Sequence, residues 1–380
     1  MHPDTASCVI ISSGEDSTTI LQGFTLTGGA GTRWTDIGGA GIYREGGGIL
    51  IESSSPVIRH NLIINNVAIN LIAVSSAGGG GIRLGDGNPQ ILNNVIVFNR
   101  GRYGAGIVMN YSGGIIKNNL IAYNSGGQDF GGGGIWLLED LAGYTKKIIN
   151  NTIIDNHSTT NGGGIFIWAT TAEVRNNIIW GNTAVTSPQI KLLGGGTATA
   201  EYNDVEGGFA GTGNIDLDPL FIDTIRYYLG NNSPCFDNGD ASAIYNDPED
   251  VLNPGFVLFP STGTVLNDMG AYGGPAATLL PVQSSILSGI NDFTFNSEGL
   301  MIYPQPANDY CNIKYPGQFN GRIIFQVYSS TGKRIYTEDL FLHFPTAKLF
   351  RVITAGLPKG IYFISVSDNN SRVTGKLLLQ

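Results

Sequence analysis

Apolar and polar residues follow one repeating order along the first half of the chain. A glycine cluster is followed by an isoleucine-led strand with alternating apolar residues, a short polar interval, paired asparagines, an apolar triplet and a further asparagine. "GGGILIESSSPVIRHNLIINN" begins at Gly46, "GGGIRLGDGNPQILNNVIVFN" at Gly79 and "GAGIVMNYSGGIIKNNLIAYN" at Gly104. "GGGIWLLEDLAGYTKKIINNTIIDN" begins at Gly132 and "GGGIFIWATTAEVRNNIIWGN" at Gly162. The isoleucines after the glycines are Ile49, Ile82, Ile107, Ile135 and Ile165, with Ile190 as a sixth, in steps of 33, 25, 28, 30 and 25 residues. A helical-hairpin repeat keeps its period and avoids glycine and β-branched residues, whereas a β-solenoid absorbs extra residues in loops. The varying step therefore predicts stacked coils of short parallel strands, three per coil.

In the first strand Ile49/Ile51, Ile82/Leu84, Ile107/Met109, Ile135/Leu137 and Ile165/Ile167 fall on one face, as a half-buried strand requires. Coils stacked about 4.8 Å apart place each isoleucine on its counterpart above and below. The asparagines align in the same way. Asn61, Asn94, Asn119, Asn151 and Asn177 form one expected column, continued by Asp204, and Asn66, Asn99, Asn124, Asn156 and Asn182 form a second. An inward amide at a corner satisfies backbone groups that the strand ladder cannot reach and bonds to the next amide. Glycine supplies positive φ and leaves room between coils.

Composition narrows the class. The chain has 380 residues, 55 of them glycine, and only 13% are charged, so helices bearing exposed ion pairs are disfavoured. A net charge of -9 without a basic run speaks against nucleic acid or an anionic membrane as partner. No apolar run reaches membrane-spanning length. Cys8, Cys235 and Cys311 form neither a disulfide framework nor a metal motif. "TTILQGFTLTGG" near the start already reads as part of a coil, so the chain reads as starting inside a longer protein.

With its GGGI, NN and N elements, the chain resembles the right-handed parallel β-helix repeat family, whose architecture is shared with pectate lyases. The resemblance covers residues 1–276, and "GNIDLDPLFID", "NNSPCFDNGD" and "DMGAYGG" are similar to the closing portion of such helices. Residues 277–298 read as a linker. From 299 to 380 period-two strands return, predicting a small antiparallel β-sandwich. There "YPQPAND", "STGKRIY" and "LPKGIYFISV" resemble the C-terminal sorting domain of the type IX secretion system of Bacteroidota, with Gln305 where that family usually has Asn. The resemblance implies a protein secreted or displayed on the cell surface, with the secretion machinery as partner; the chain is expected to be all-β and monomeric.

The chemistry is sparse. Beside the marker isoleucines, Leu50, Arg83, Val108, Trp136, Phe166 and Lys191 point outward, where β-helix lyases and glycosidases carry polysaccharide. Arg83 and Lys191 are four coils, about 19 Å, apart, too far to share one sugar ring. The next outward column, Glu52, Gly85, Asn110, Leu138 and Trp168, holds one acid, whereas a glycosidase needs two carboxyls about 5 to 9.5 Å apart. No catalytic residue is assigned. Asp129, Glu139, Asp140 and Asp155 lie on other faces, and His60 and His157 read as turn residues. Arg83, Trp136, Phe166, Trp168 and Lys191 are the candidate glycan-binding residues. The competing reading lays the 136–147 loop or the closing segment over the aromatic strip. No cofactor is expected; the aspartates of "NIDLDPLFID" and "NGDASAIYNDPED" leave calcium open, without EF-hand spacing. A non-catalytic adhesion, glycan-binding or envelope role is the leading reading, and a polysaccharide lyase or glycosidase its rival.

Overall fold

The computed structural model describes residues 6–35, 41–69, 76–230, 232–251, 254–281, 300–303, 307, 310–314, 322–329, 333–341, 349–354, 357–367 and 372–379. Two compact units divide at Gln283 and Ser284. The expected linker at 277–298 lies mostly outside the described residues.

In the first unit each marker isoleucine opens a strand of one seven-stranded parallel sheet: Val9–Ile11, Ile49–Glu52, Ile82–Gly85, Ile107–Asn110, Ile135–Leu138, Ile165–Trp168 and Ile190–Leu193. Ile107 pairs in register with Ile82 and Ile135, and Ile135 with Ile165. A second seven-stranded face runs from Ile20–Gln22 to Thr197–Glu201, and a third from Thr25–Thr27 to Asp204–Val205. The three faces enclose one continuous core. Ile49, Ile82, Ile107, Ile135 and Ile165 are fully buried in it, together with Ile58, Ile91, Ile116 and Ile148 from the second face and Ile63, Ile96, Ile121 and Ile153 from the third. Each such isoleucine contributes about 1.5 to 3 kcal/mol by leaving water.

Corners are made by asparagine and glycine in different ways. Asn94 accepts, through its Oδ1, the backbone N–H and the amide of Asn61 at 3.0 and 3.1 Å, while its own amide reaches Asn119 at 3.0 Å and the Ile58 carbonyl at 2.9 Å. The same pattern continues through Asn151 and Asn177. Asn203 and then Asn214 extend this column, where Asp204 was expected. The register of the last coil puts Asp204 opposite Ile178, in the strand that follows the rung, and leaves Asn203 at the corner. A second column runs Asn66, Asn99, Asn124, Asn156 and Asn182, ending on Gln189. The residue before each rung turns the chain with positive φ, as at Asn93 (53°), Asn118 (54°) and Phe98 (57°). In the glycine clusters the first residue has positive φ, as at Gly79 (62°), whereas at Gly81 a Cβ would fall 2.5 Å from the Gly106 carbonyl oxygen.

The coils contain a further strand that the repeat did not predict. Between the third face and the glycines, Thr32–Thr35, Ile42–Glu45, Ser76–Gly78, Arg100–Tyr103, Ser125–Gly131 and His157–Ser158 form a fourth sheet. Its first two strands are antiparallel to each other and the rest are parallel. This sheet carries the variable residues of the repeat.

The closing segment returns along the outside of the first asparagine corner. Asn93 donates to Ala276 O, Asn118 to Ala271 O, Asn150 to Asp268 O, and Asn176 accepts from the Asp240 N–H, all at 2.8 to 3.0 Å. Arg175 holds the same segment through Asp240 while pairing with Glu201 and Glu173 on the second face.

The second unit is antiparallel. Met301–Tyr303, Tyr310–Lys314 and Leu349–Ile353 form one sheet, and Arg334–Phe341, Arg322–Ser329, Gly360–Ser367 and Arg372–Leu379 the other. Ile302, Cys311, Ile313, Phe325, Val327, Ile364, Val366 and Leu377 make its core.

Candidate functional site

Alternation in the first face sends every second side chain away from the core, and the fourth sheet folds over that outer side. Arg83, Val108, Trp136 and Phe166 are thereby buried, though they face outward. Neither the 136–147 loop nor the closing segment covers the aromatic strip; Tyr103 and Phe130 from the fourth sheet do. Trp136 stacks on Phe166 with ring centres 4.5 Å apart, Tyr103 approaches Trp136 at 5.3 Å, and Phe130 meets Trp136 and Trp168 at 6.1 and 6.3 Å.

The two layers part to leave a cleft of about 240 Å³, lined by Trp34, Tyr43, Glu45, Ser76, Arg83, Tyr103, Asn110, Tyr111, Phe130, Trp136, Leu138 and Trp168. Of the expected residues, Arg83, Trp136 and Trp168 meet here. Phe166 is wholly buried beneath Trp136, and Lys191 is not among the lining residues, because its strand is the last of the face. Sequence reasoning missed Trp34, Tyr43, Glu45, Tyr103 and Phe130, which all come from the unrepeated fourth sheet.

At one end of the cleft Arg83 lies between two acids. Its Nε is 3.1 Å from Glu45 Oε2, its Nη1 pairs with Glu52, and the same Nη1 donates to the Ile51 carbonyl at 3.3 Å. The guanidinium also lies 4.5 Å from the Trp34 ring centre. Glu45, 1% exposed, receives the Tyr103 hydroxyl on Oε1 and the Trp34 indole N–H on Oε2 at 3.1 Å. Burial, and then the Glu45 carboxylate, push the Tyr103 hydroxyl well above its ordinary range, so it remains a donor. The acid pair that the repeating column lacks is thus completed by Glu45 from outside the repeat. Both oxygens of Glu45 are occupied by the protein's own donors.

Besides Arg83 Nε, which has its ion pair with Glu45 but no hydrogen bond, two polar atoms of lining residues have no partner. Trp136 is 3% exposed and its Nε1–H has no acceptor; Asn110 is 8% exposed and its Oδ1 has no donor. A buried polar atom without a partner costs about 1 to 3 kcal/mol. At the rim, Tyr111 and Phe130 are 42% and 37% exposed.

The remaining candidates do not converge on this cleft. Asp140 pairs with the buried Lys146 at 3.0 Å, Asp155 accepts the Tyr227 hydroxyl at 3.1 Å, and the Asp129 side chain lies outside those described. His157 bonds to Thr183 at 2.8 Å, and His60 turns a corner with φ of 51°. Among the described residues no group of three or more His, Cys, Asp or Glu is placed to hold a metal ion. In the closing segment the aspartates serve the fold. Asp268 accepts the Asp237 N–H at 2.9 Å and Asp247 accepts the Asp268 N–H at 3.2 Å. Burial, followed by the Asp268 charge, raises Asp247 to about 8, and burial raises Asp268 to about 7. Asp204 hydrogen-bonds the Cys235 thiol at 3.2 Å and is pushed up to about 6, again chiefly by burial.

A parallel β-solenoid with amide-laddered corners and an antiparallel sandwich after it define the class. Residues 30–205 match the family model of the right handed beta helix region, and residues 301–380 match that of the secretion system C-terminal sorting domain. The chain is a right-handed parallel β-helix protein with a type IX secretion sorting domain, which makes it an exported protein, secreted or held at the cell surface. No curated protein matches it. No helix among the described residues is long and apolar enough to cross a membrane.

Proposed function

We propose that this exported β-helix is a non-catalytic carbohydrate-binding protein whose ligand enters the cleft between the first face and the fourth sheet. The observation that carries this reading is the aromatic lining of the cleft, with Tyr111 and Phe130 open at its rim and Trp34, Tyr43 and Trp168 beside them. Aromatic faces combined with a few fixed polar groups are the usual means of holding an amphipathic ring. Display outside the cell places such a cleft among envelope and environmental glycans.

A glycosidase is the second reading, favoured by the meeting of Glu45 and Glu52 on Arg83. Against it, Glu45 has no oxygen left to exchange a proton with a substrate, since Tyr103, Trp34 and Arg83 take both. A glycan array with the full chain and a Trp168→Ala variant tests the proposal. Retention of particular glycans by the wild type, weakened in the variant and without release of reducing ends, is expected. A protein that retains nothing, or that cleaves what it retains, would end it.

A further inference from the structure

We propose that the cleft selects a neutral pyranose, gripped through two adjacent hydroxyls, and discriminates against uronates and other anionic sugars. This rests on the carbohydrate-binding reading above and adds the chemistry of the ligand. The grip is defined by the two unpartnered atoms, one a donor, Trp136 Nε1–H, and the other an acceptor, Asn110 Oδ1. They belong to neighbouring strands of one face: Val108 pairs with Trp136 and Asn110 with Leu138, which sets the two groups diagonally across the strand pair.

A ligand that completes both must accept at one point and donate at the other. A carboxylate accepts from the indole but brings a second negative centre against the Asn110 carbonyl. An ammonium donates to Asn110 but meets the indole N–H with nothing to offer it. Neighbouring hydroxyls do both at once, one oxygen accepting from Trp136 and the next O–H donating to Asn110.

The charges nearby favour the same choice. Arg83 is the cation that a uronate would seek, yet Glu45 and Glu52 both pair with it, so two carboxylates face one guanidinium. Beside Arg83 an added anion therefore meets two carboxylates already sharing the one guanidinium, in a site of low dielectric where repulsion is strong. Two of the lining rings already carry a cation, Arg83 over Trp34 and Arg102 over Phe130 at 5.6 Å, and these guanidinium groups repel a cationic ligand. The volume of about 240 Å³ suits one ring. It lies below the roughly 300 to 1,000 Å³ typical of pockets for drug-sized ligands, so the site takes a chain end or a single branch.

The test is titration calorimetry on the full chain with the methyl glycosides of glucose, galactose and mannose, with sodium glucuronate and galacturonate, and with choline. At least one neutral glycoside binds, and the matching uronate binds at least about tenfold more weakly. Trp136→Phe keeps a six-membered aromatic ring facing Phe166 and removes the N–H together with the rest of the five-membered ring; Asn110→Leu keeps the bulk and removes the carbonyl. Each lowers affinity about tenfold, the ratio that 1.4 kcal/mol represents, while a cooperative melting transition shows that both variants remain folded. A uronate or choline binding as tightly as the best neutral glycoside overturns the inference, as does unchanged affinity in both variants. In the first case glycan-array retention leaves the broader reading standing; binding of no sugar in either assay ends both.

Discussion

The two sides of the first face are built from the same strands under different rules. On the inner side Ile107 touches Ile82 and Ile135, its own copies, and every coil must present the same residue. On the outer side the column reads Leu50, Arg83, Val108, Trp136, Phe166, and nothing requires it to repeat. Partners for the inner side come from the repeat itself; those for the outer side come from the fourth sheet, whose strands vary in length from two to seven residues. Repetition fixes stability, and departure from repetition makes room for a site.

The largest effect that would break this contrast is on the inner side. Asn119→Ala removes a rung that donates to Asn151, Ile91 and Lys117 and accepts from both donors of Asn94, leaving several buried groups unpaired. At about 1 to 3 kcal/mol for each such group, a loss of at least about 4 kcal/mol is expected in urea unfolding. A loss under about 1 kcal/mol would mean that the ladder is ornamental.

An intermediate effect belongs to the closing segment. Asp247 and Asp268 hold protons in the folded protein far above the unfolded aspartate value near 3.9, so folding takes up protons. Their contribution is complete below about pH 4 and disappears as pH rises through about 7 and 8. Amides of residues 267–277, corrected for intrinsic rates, should exchange faster at pH 8.5 than at pH 6, and Asp247→Asn should flatten the difference. Slower exchange at the higher pH would contradict this sign.

The smallest structural effect is expected on the outer side. Tyr111→Ala, at the exposed rim, should change stability by no more than about 0.5 kcal/mol while reducing glycan retention. Equal retention would remove Tyr111 from the binding surface.

These differences also explain what could be read from the sequence. The isoleucine columns and the paired asparagines were legible because each residue contacts its own repeat. The fourth sheet was not: Ser125–Gly131 reads as a polar loop, and Ile42–Glu45 and Thr32–Thr35 have no counterpart of matching pattern. Glu45 was therefore invisible as the partner of Arg83, and with it Tyr103 and Trp34. The shift from Asp204 to Asn203 came from the last coil, where Asn203-Asp204 reads as the Asn-Asn pair but the rung is the first of the two residues. Phe166 lay in the right column, but its burial depends on Trp136 and on the covering strands. The outer column of Asn93, Asn118, Asn150 and Asn176 was hidden in plain view, since only the returning chain gives it partners.

That returning chain alters how the solenoid can come apart. A linear array of coils held only to their neighbours frays from an end one unit at a time. Here a single stretch from Asp240 to Ala276 is fastened to four successive turns, at Asn176, Asn150, Asn118 and Asn93. Like a seam sewn down the side of a stack of rings, it obliges the last turns to leave together or to remain.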